Sequence, residues 1–357
     1  MPTLSRDREG AGTPTNCSTA NPDRKGGVSS DANRDREGAG TPTNRSTANP
    51  DRKGGVSVDP NPNPQPAHNS TPTDSTQNHP MPNHTRRNFL GALAGTAAAL
   101  QAEPLGMPAG FQVFPIREAL AKDFPGTLRQ MAEIGYKTTE MCSPPGYVSS
   151  GFGPLVSMSA ATMKKTIQDA GLRCESCHYG AKELKENLDE RIAFAKELGL
   201  KQMILSSFGL PQTATLDDWK KAADGLNPIG EKMQKAGIQC GFHNHNGEFK
   251  ELGGVLIYDE LMRRLDPKLV KMQFQVAVVS IGFQAATYME KYPGRILSLH
   301  LADWDSATKK SVAVGKGSVD WKQLFAKARK GGVKNYFVEV NMDAMQESYP
   351  FLRSLKV

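Results

Sequence analysis

Residues 241–249, GFHNHNGEF, end an apolar run with His243 and His245 two positions apart and Asn244 between them. The chain has 7 histidines. Three of them (His68, His79 and His84) fall in a polar N-terminal region, which leaves His178, His243, His245 and His300 for a folded domain. Imidazoles that converge with a carboxylate suit a divalent ion such as Zn, Mn or Co. Such an ion would hold two oxygens of a polyol or ketose and polarise a carbonyl. That lowers the cost of removing the adjacent C–H proton, which a nearby Glu or His can accept.

Convergence requires a scaffold. Between 111 and 355, short β-type runs alternate with amphipathic stretches. The strand candidates are 111–116, 137–142, 172–178, 201–206, 238–243, 270–276, 296–301 and 335–340. Helical patterns cover 127–134, 159–170, 182–198, 216–236, 257–265, 284–291 and 319–330. Several of these end in glycine ahead of the next strand, as in EIGYK, ELGLK and KAGIQ, where a left-handed residue turns the chain back. Eight β-then-α units in about 250 residues predict a (β/α)8 TIM barrel. A doubly wound sheet is less well supported, because no G-x-G-x-x-G follows the first strand.

Barrel chemistry sits at the C-terminal ends of the strands. Those ends carry Glu140 (second strand), His178 (third), His243 and His245 (fifth), Gln275 (sixth), His300 (seventh) and Glu339 (eighth). In ILSLHL, Ser298 and His300 share one face and the leucines the other, so His300 should point into the barrel. Glu339 shares a face with Phe337 by the same alternation. Lys316, in the glycine-rich VGKGS, is a candidate contact for an anionic substrate group, and Asn244 and His245 for sugar hydroxyls.

Residues 1–80 are rich in Pro, Gly, Asn, Ser, Thr and Asp and contain a duplication: 7–29 returns at 35–57 with Cys17 replaced by Arg45. Such a segment buries too little to order itself, and we read it as disordered, or as upstream DNA included in the reading frame. At 81–102, paired Arg86 and Arg87, then Phe89 and Leu90, precede a run of Ala, Leu and Gly too short for a stable membrane span. This resembles a twin-arginine signal, which implies the twin-arginine export machinery as a partner and a periplasmic or otherwise exported protein. From residue 103 on, 33 Lys and Arg face 28 Asp and Glu with no basic block, so charge indicates no nucleic-acid partner. Self-association is compatible with this pattern. Cys142, Cys174, Cys177 and Cys240 read as packing residues; Cys174 and Cys177, three apart in a strand, should face opposite ways.

Taken together, GYKTTEM (135–141), GFHNHNGEF (241–249), DPKLVKMQFQV (266–276), KYPGRILSLHLADW (291–304), VAVGKGSVDW (312–321) and YFVEV (336–340) resemble the xylose-isomerase-like sugar phosphate isomerase/epimerase barrels. The resemblance implies a divalent metal held by residues ending strands five to eight, here His243, Gln275, His300 and Glu339. The family commonly has Glu, Asp, His and Glu there, so His243 and Gln275 depart from its pattern and shift the preference to softer ions. They also disturb a two-carboxylate proton relay, which leaves Glu140, His178 and Glu339 as candidate acid/base groups. The expected activity is sugar isomerisation or epimerisation by an exported enzyme, on a small carbohydrate. Alternatives are a 3-keto-glycoside lyase or hydratase using the same site, and a carbohydrate-binding barrel without turnover. Related barrels include endonucleases, but these use a richer metal cluster, and an export signal argues against DNA.

Overall fold

The computed structural model describes residues 103–357; the duplicated segment at 1–80 and the expected export signal at 81–102 lie outside the described residues. Eight parallel strands close a barrel: β1 (Gly110–Gln112), β2 (Thr138–Cys142), β3 (Arg173–Gly180), β4 (Gln202–Ser207), β5 (Gln239–His243), β8 (Val270–Gln275), β9 (Ile296–Leu301) and β12 (Asn335–Val338), with β1 paired to β12. Two small hairpins, β6–β7 (Glu251–Leu252, Val255–Leu256) and β10–β11 (Asp303–Asp305, Lys310–Val312), decorate the strand ends. The expected (β/α)8 TIM barrel is observed.

The helices follow their strands in turn: α1 (Arg117–Lys122) and α2 (Phe124–Ile134), α3 (Ala160–Asp169), α4 (Ala181–Glu186) and α5 (Leu188–Leu198), α6 (Leu216–Lys235), α7 (Ile257–Arg264), α8 (Ala285–Lys291), α9 (Trp321–Gly331) and α10 (Met342–Ser354). Their starts are written in the sequence. The Thr215 hydroxyl accepts from Asp218 N while the Asp218 carboxylate accepts from Thr215 N, a reciprocal cap that sets the first residue of α6. Their ends are too: α5 stops at Gly199, whose φ of 95° a side chain would resist. Among the described residues no helix is long and apolar enough to cross a membrane.

Four expectations are corrected. The strand expected over 111–116 ends at Gln112, because Pro115 curls the chain into a 3-10 turn. The helix expected over 182–198 breaks at Asn187, whose φ of −129° is not helical. Helices α1 and α10 and both hairpins were not foreseen. Cys174 and Cys177 share a face: the register jumps so that they oppose Thr139 and Met141, two residues apart, and Glu175 is the bulged extra residue. All four cysteines in the described residues are free and buried, as packing residues should be.

The outer faces of the strands pack the apolar core against the helices, with Met203, Phe242, Met272, Phe274, Leu299 and Leu301 fully buried. The barrel interior is different: buried Glu140, Ser176, Gln273, Ser298 and His300 make it polar, with the ring of Phe337 beside that of His300. Phe337 fits because its neighbour strand carries Gly110. A Cβ there would lie 2.5 Å from both Phe337 Cδ1 and Thr138 Oγ1. Gly110→Ala should therefore lower folding stability by about 1–3 kcal/mol, the range for overpacking a core. Urea titration of the purified protein checks this, and an unchanged midpoint would refute the close-approach argument.

Candidate active site at the barrel mouth

Two bulges set up the interior. The shift between β2 and β3 brings Glu140 level with Ser176, and the shift between β8 and β9 brings Gln273 level with Ser298. Glu140, fully buried, collects four neighbours. Its Oε1 accepts from Ser176 Oγ at 2.5 Å and Gln273 Nε2 at 2.7 Å; its Oε2 accepts from His300 Nε2 and lies 3.3 Å from His178 Nε2. Gln273 Oε1 in turn lies 2.6 Å from His178 Nε2, and Gln273 Nε2 reaches Ser298 Oγ at 3.2 Å. On the solvent side of His300, its Nδ1 lies 3.0 Å from Glu339 Oε2, which also accepts from Gln275 Nε2.

The charges follow from this geometry. Burial raises the Glu140 carboxyl, but the imidazoles of His178 and His300 outweigh it and hold Glu140 at about 2. Burial lowers His300, but the carboxylates of Glu339 and Glu140 on its two sides push it up to about 10. His300 is thus an imidazolium clamped between two carboxylates. Glu339, which burial alone would raise, is held below its ordinary value by His300. Burial keeps His178 below its ordinary value and His243 well below it, so both are neutral with lone pairs available.

The three inner imidazoles are close. The ring centroids of His243 lie 5.0 Å from His178 and 4.5 Å from His300, and those of His178 and His300 are 5.0 Å apart and nearly parallel. His178, His243 and His300 each offer a ring nitrogen within 4.8 Å of the others, the grouping among the described residues that could hold an ion. One atom points to such a role: buried His243 Nδ1 has no hydrogen-bond partner, which costs about 1–3 kcal/mol unless something occupies it. Neutral nitrogens beside an ionised carboxylate suit Zn or Co, so the residues fit a divalent ion. His300 can join only by releasing a proton and one of its carboxylate partners.

Not every expected residue serves as the sequence suggested. Glu140, a candidate base, is sealed from solvent with both oxygens engaged beneath the imidazoles, so it orients His300. His178, another candidate base, belongs to the imidazole group. Gln275 accepts from Ala277 N through Oε1 at 3.2 Å, which turns its NH2 toward Glu339 and its oxygen away from the imidazoles. Asn244 is fully buried and accepts from Gln275 N at 3.3 Å, bracing β8 rather than facing the mouth. Lys316 is exposed, in a loop fixed by Asp303. That carboxylate accepts from Gly315 N, Gly317 N, Val319 N, Trp304 N and Trp321 Nε1, at 2.7 to 3.1 Å. His245 is exposed at the mouth, its ring 4.8 Å from that of His243, and burial of its inner edge keeps it below its ordinary pKa. Gln273, Ser176 and Glu248 were not anticipated. For Gln273 the signal was present, since KMQFQV alternates and puts both glutamines on the inner face.

A closed parallel barrel with imidazoles and a carboxylate converging at its C-terminal mouth defines a (β/α)8 protein with its site where such barrels carry chemistry. Residues 128–355 match the xylose isomerase-like TIM barrel family, and the chain belongs to it. It is similar to an inosose dehydratase of Bacillus cereus (strain AH820), 26% identical over 199 residues, which is 48% of this chain and 66% of that protein. The chain thus matches just under two thirds of the length of these curated relatives. It is also similar to a solved sugar phosphate isomerase/epimerase from Parabacteroides distasonis ATCC 8503, at 26% identity and a TM-score of 0.59, over 69% of this chain and 94% of that one. A D-psicose 3-epimerase from Clostridium cellulolyticum H10, at 12% identity and a TM-score of 0.51, shares the fold over 69% of this chain and 96% of its own.

Below the exposed edge of His245, Glu248 is nearly fully buried and its Oε2 accepts from His245 N at 2.8 Å. Burial pushes its carboxyl up to about 7. The folded protein therefore holds this proton more tightly than the unfolded chain. The resulting stability is complete below about pH 4.5 and is lost as pH rises through about 7, a change of roughly 3 kcal/mol. Glu248→Gln keeps the acceptor and should flatten that part of the stability–pH curve. Denaturant midpoints between pH 4.5 and 8 measure it; parallel curves for parent and variant would sink the assignment.

Proposed function

We propose that this chain is an exported enzyme that isomerises or epimerises a small carbohydrate by moving a proton beside its carbonyl, assisted by a divalent ion. The carrying observation is the group His178, His243 and His300, with Glu339 ionised next to it. His178, His243 and His300 would hold the ion. When bound, it supplies polarisation of the substrate carbonyl and so acidifies the adjacent C–H.

The chain's own residues do the rest. Glu339, whose side chain is 16% exposed, is the carboxylate that can meet substrate, and it accepts the C–H proton at Oε1 or Oε2. Hydrogen bonds from Gln275 and His300 fix that carboxylate, which removes the cost of orienting it. Glu339 returns the proton it took, and His245, neutral and exposed beside His243, is placed to donate a hydrogen bond to a substrate hydroxyl. Glu140 touches no substrate; it is a positioning residue that keeps His300 in its rotamer. Export is supported by the paired Arg86 and Arg87 ahead of the apolar run, and would bring the site to free sugars, glycosides or oxidised sugars rather than sugar phosphates.

A second reading is a lyase: the electron pair freed at carbon expels a leaving group from the next carbon, which departs with a proton, leaving an unsaturated carbonyl compound. Two observations favour it. Of the two carboxylates that flank His300, Glu339 alone keeps any exposure, whereas inversion at carbon is served best by one base on each face, and relatives at 26% identity are named inosose dehydratases.

Metal analysis of the purified protein beside a His300→Ala, Glu339→Ala double variant tests the site. About one divalent ion in the parent and none in the variant is expected. Glu339→Gln should keep the ion yet lower kcat by about 10²–10⁴-fold, the usual contribution of a general base. A screen of ketoses and keto-glycosides in D2O separates the readings: deuterium exchange without cleavage marks isomerisation, and a released aglycone marks elimination. Sugar binding with neither metal nor turnover would leave a carbohydrate-binding barrel instead.

A further inference from the structure

Beyond His245 lies a cleft of about 370 Å³, bounded by the 208–215 loop, the start of α6 and the β6–β7 hairpin. We propose that this cleft is a second subsite that takes an apolar ring carried by the substrate, so that the compound acted on is a keto-glycoside rather than a free monosaccharide. The inference rests on the catalytic reading above for where the reacting sugar lies.

Continuity comes first. His245 lines the cleft and its ring lies 4.8 Å from that of His243, so a sugar held at the imidazoles has its next substituent at the cleft entrance. Part of the wall is apolar, made by Leu210 and Pro211 from the loop, Trp219 from α6, Leu252 from the hairpin and Ile257 at the start of α7, with Ser207, Gln212 and Lys250 between them. The size lies in the lower part of the range for sites that enclose small ligands, enough for one ring.

Trp219 is preorganised. Its ring meets Phe208 edge-on at 6.1 Å, and Phe208 stacks on Phe242 at 4.4 Å and 21°. Phe242 immediately precedes His243, so an aromatic column ties the half-buried indole to the strand that carries the site. On the entrance side, Glu248 holds the backbone of His245. A planar apolar group entering the cleft meets walls already in position and needs little ordering, which favours affinity.

The test is calorimetric titration of the full chain with phenyl and methyl β-D-glucosides and β-D-galactosides. The phenyl glycosides should bind roughly tenfold more tightly than the methyl ones, the scale of one aromatic contact plus its burial. Trp219→Ala and Leu210→Ser should each bring that ratio toward one while leaving methyl glycoside affinity unchanged. Glu339→Gln should retain the full ratio while losing turnover. Turnover unaffected in Glu339→Gln alongside an intact ratio would overturn the catalytic reading and not the subsite. Equal affinities for phenyl and methyl glycosides in the parent, no binding of either, or loss of both in the two cleft variants would overturn the subsite.

Discussion

An ionised carboxylate in the middle of a barrel has to be neutralised, and much of this protein is arranged around that requirement. Glu140 has no contact with solvent, and an isolated buried charge of this kind would cost many kcal/mol. Ser176, Gln273 and His300 donate to it, and His300 supplies the opposite charge. Both bulges that interrupt the barrel register serve these contacts, one lining up Glu140 with Ser176 and the other Gln273 with Ser298. The backbone irregularities and the buried charge are therefore a single structural fact.

That arrangement has a chemical corollary. His300 is a cation because two carboxylates flank it, while His178 and His243, a ring's width away, are neutral because burial and the neighbouring positive charge disfavour a second proton. Three imidazoles in one small volume thus hold two different protonation states. Ion binding and proton binding compete directly at His300, since both of its nitrogens are committed.

Much of this was legible from residue order. Eight β-then-α units, glycine at helix ends and four histidines near strand ends gave the barrel and its histidine-bearing rim, because period-two alternation and strand-end position are local properties. Depth was not legible. Alternation places Glu140 and Glu339 alike on the inner face, yet the first is sealed beneath His300 and the second reaches solvent, a difference set by register shifts no single strand records. The face shared by Cys174 and Cys177 was missed for the same reason. Amide orientation was equally hidden: Gln275 looks like a weakened metal ligand in sequence, and only the bond from Ala277 N shows which end turns to Glu339. Asn187 broke a helix that lacks any Gly or Pro at that point, so the pattern alone ran through it.

The Asp303 hub carries one more implication. Four backbone amides and an indole converge on a single carboxylate three residues after His300. The VGKGS segment, which composition alone would make the most pliable part of the rim, is thereby fastened to the strand bearing the central imidazole. This side of the rim is therefore shaped by the fold before any ligand arrives, and a ligand has to conform to it rather than the reverse.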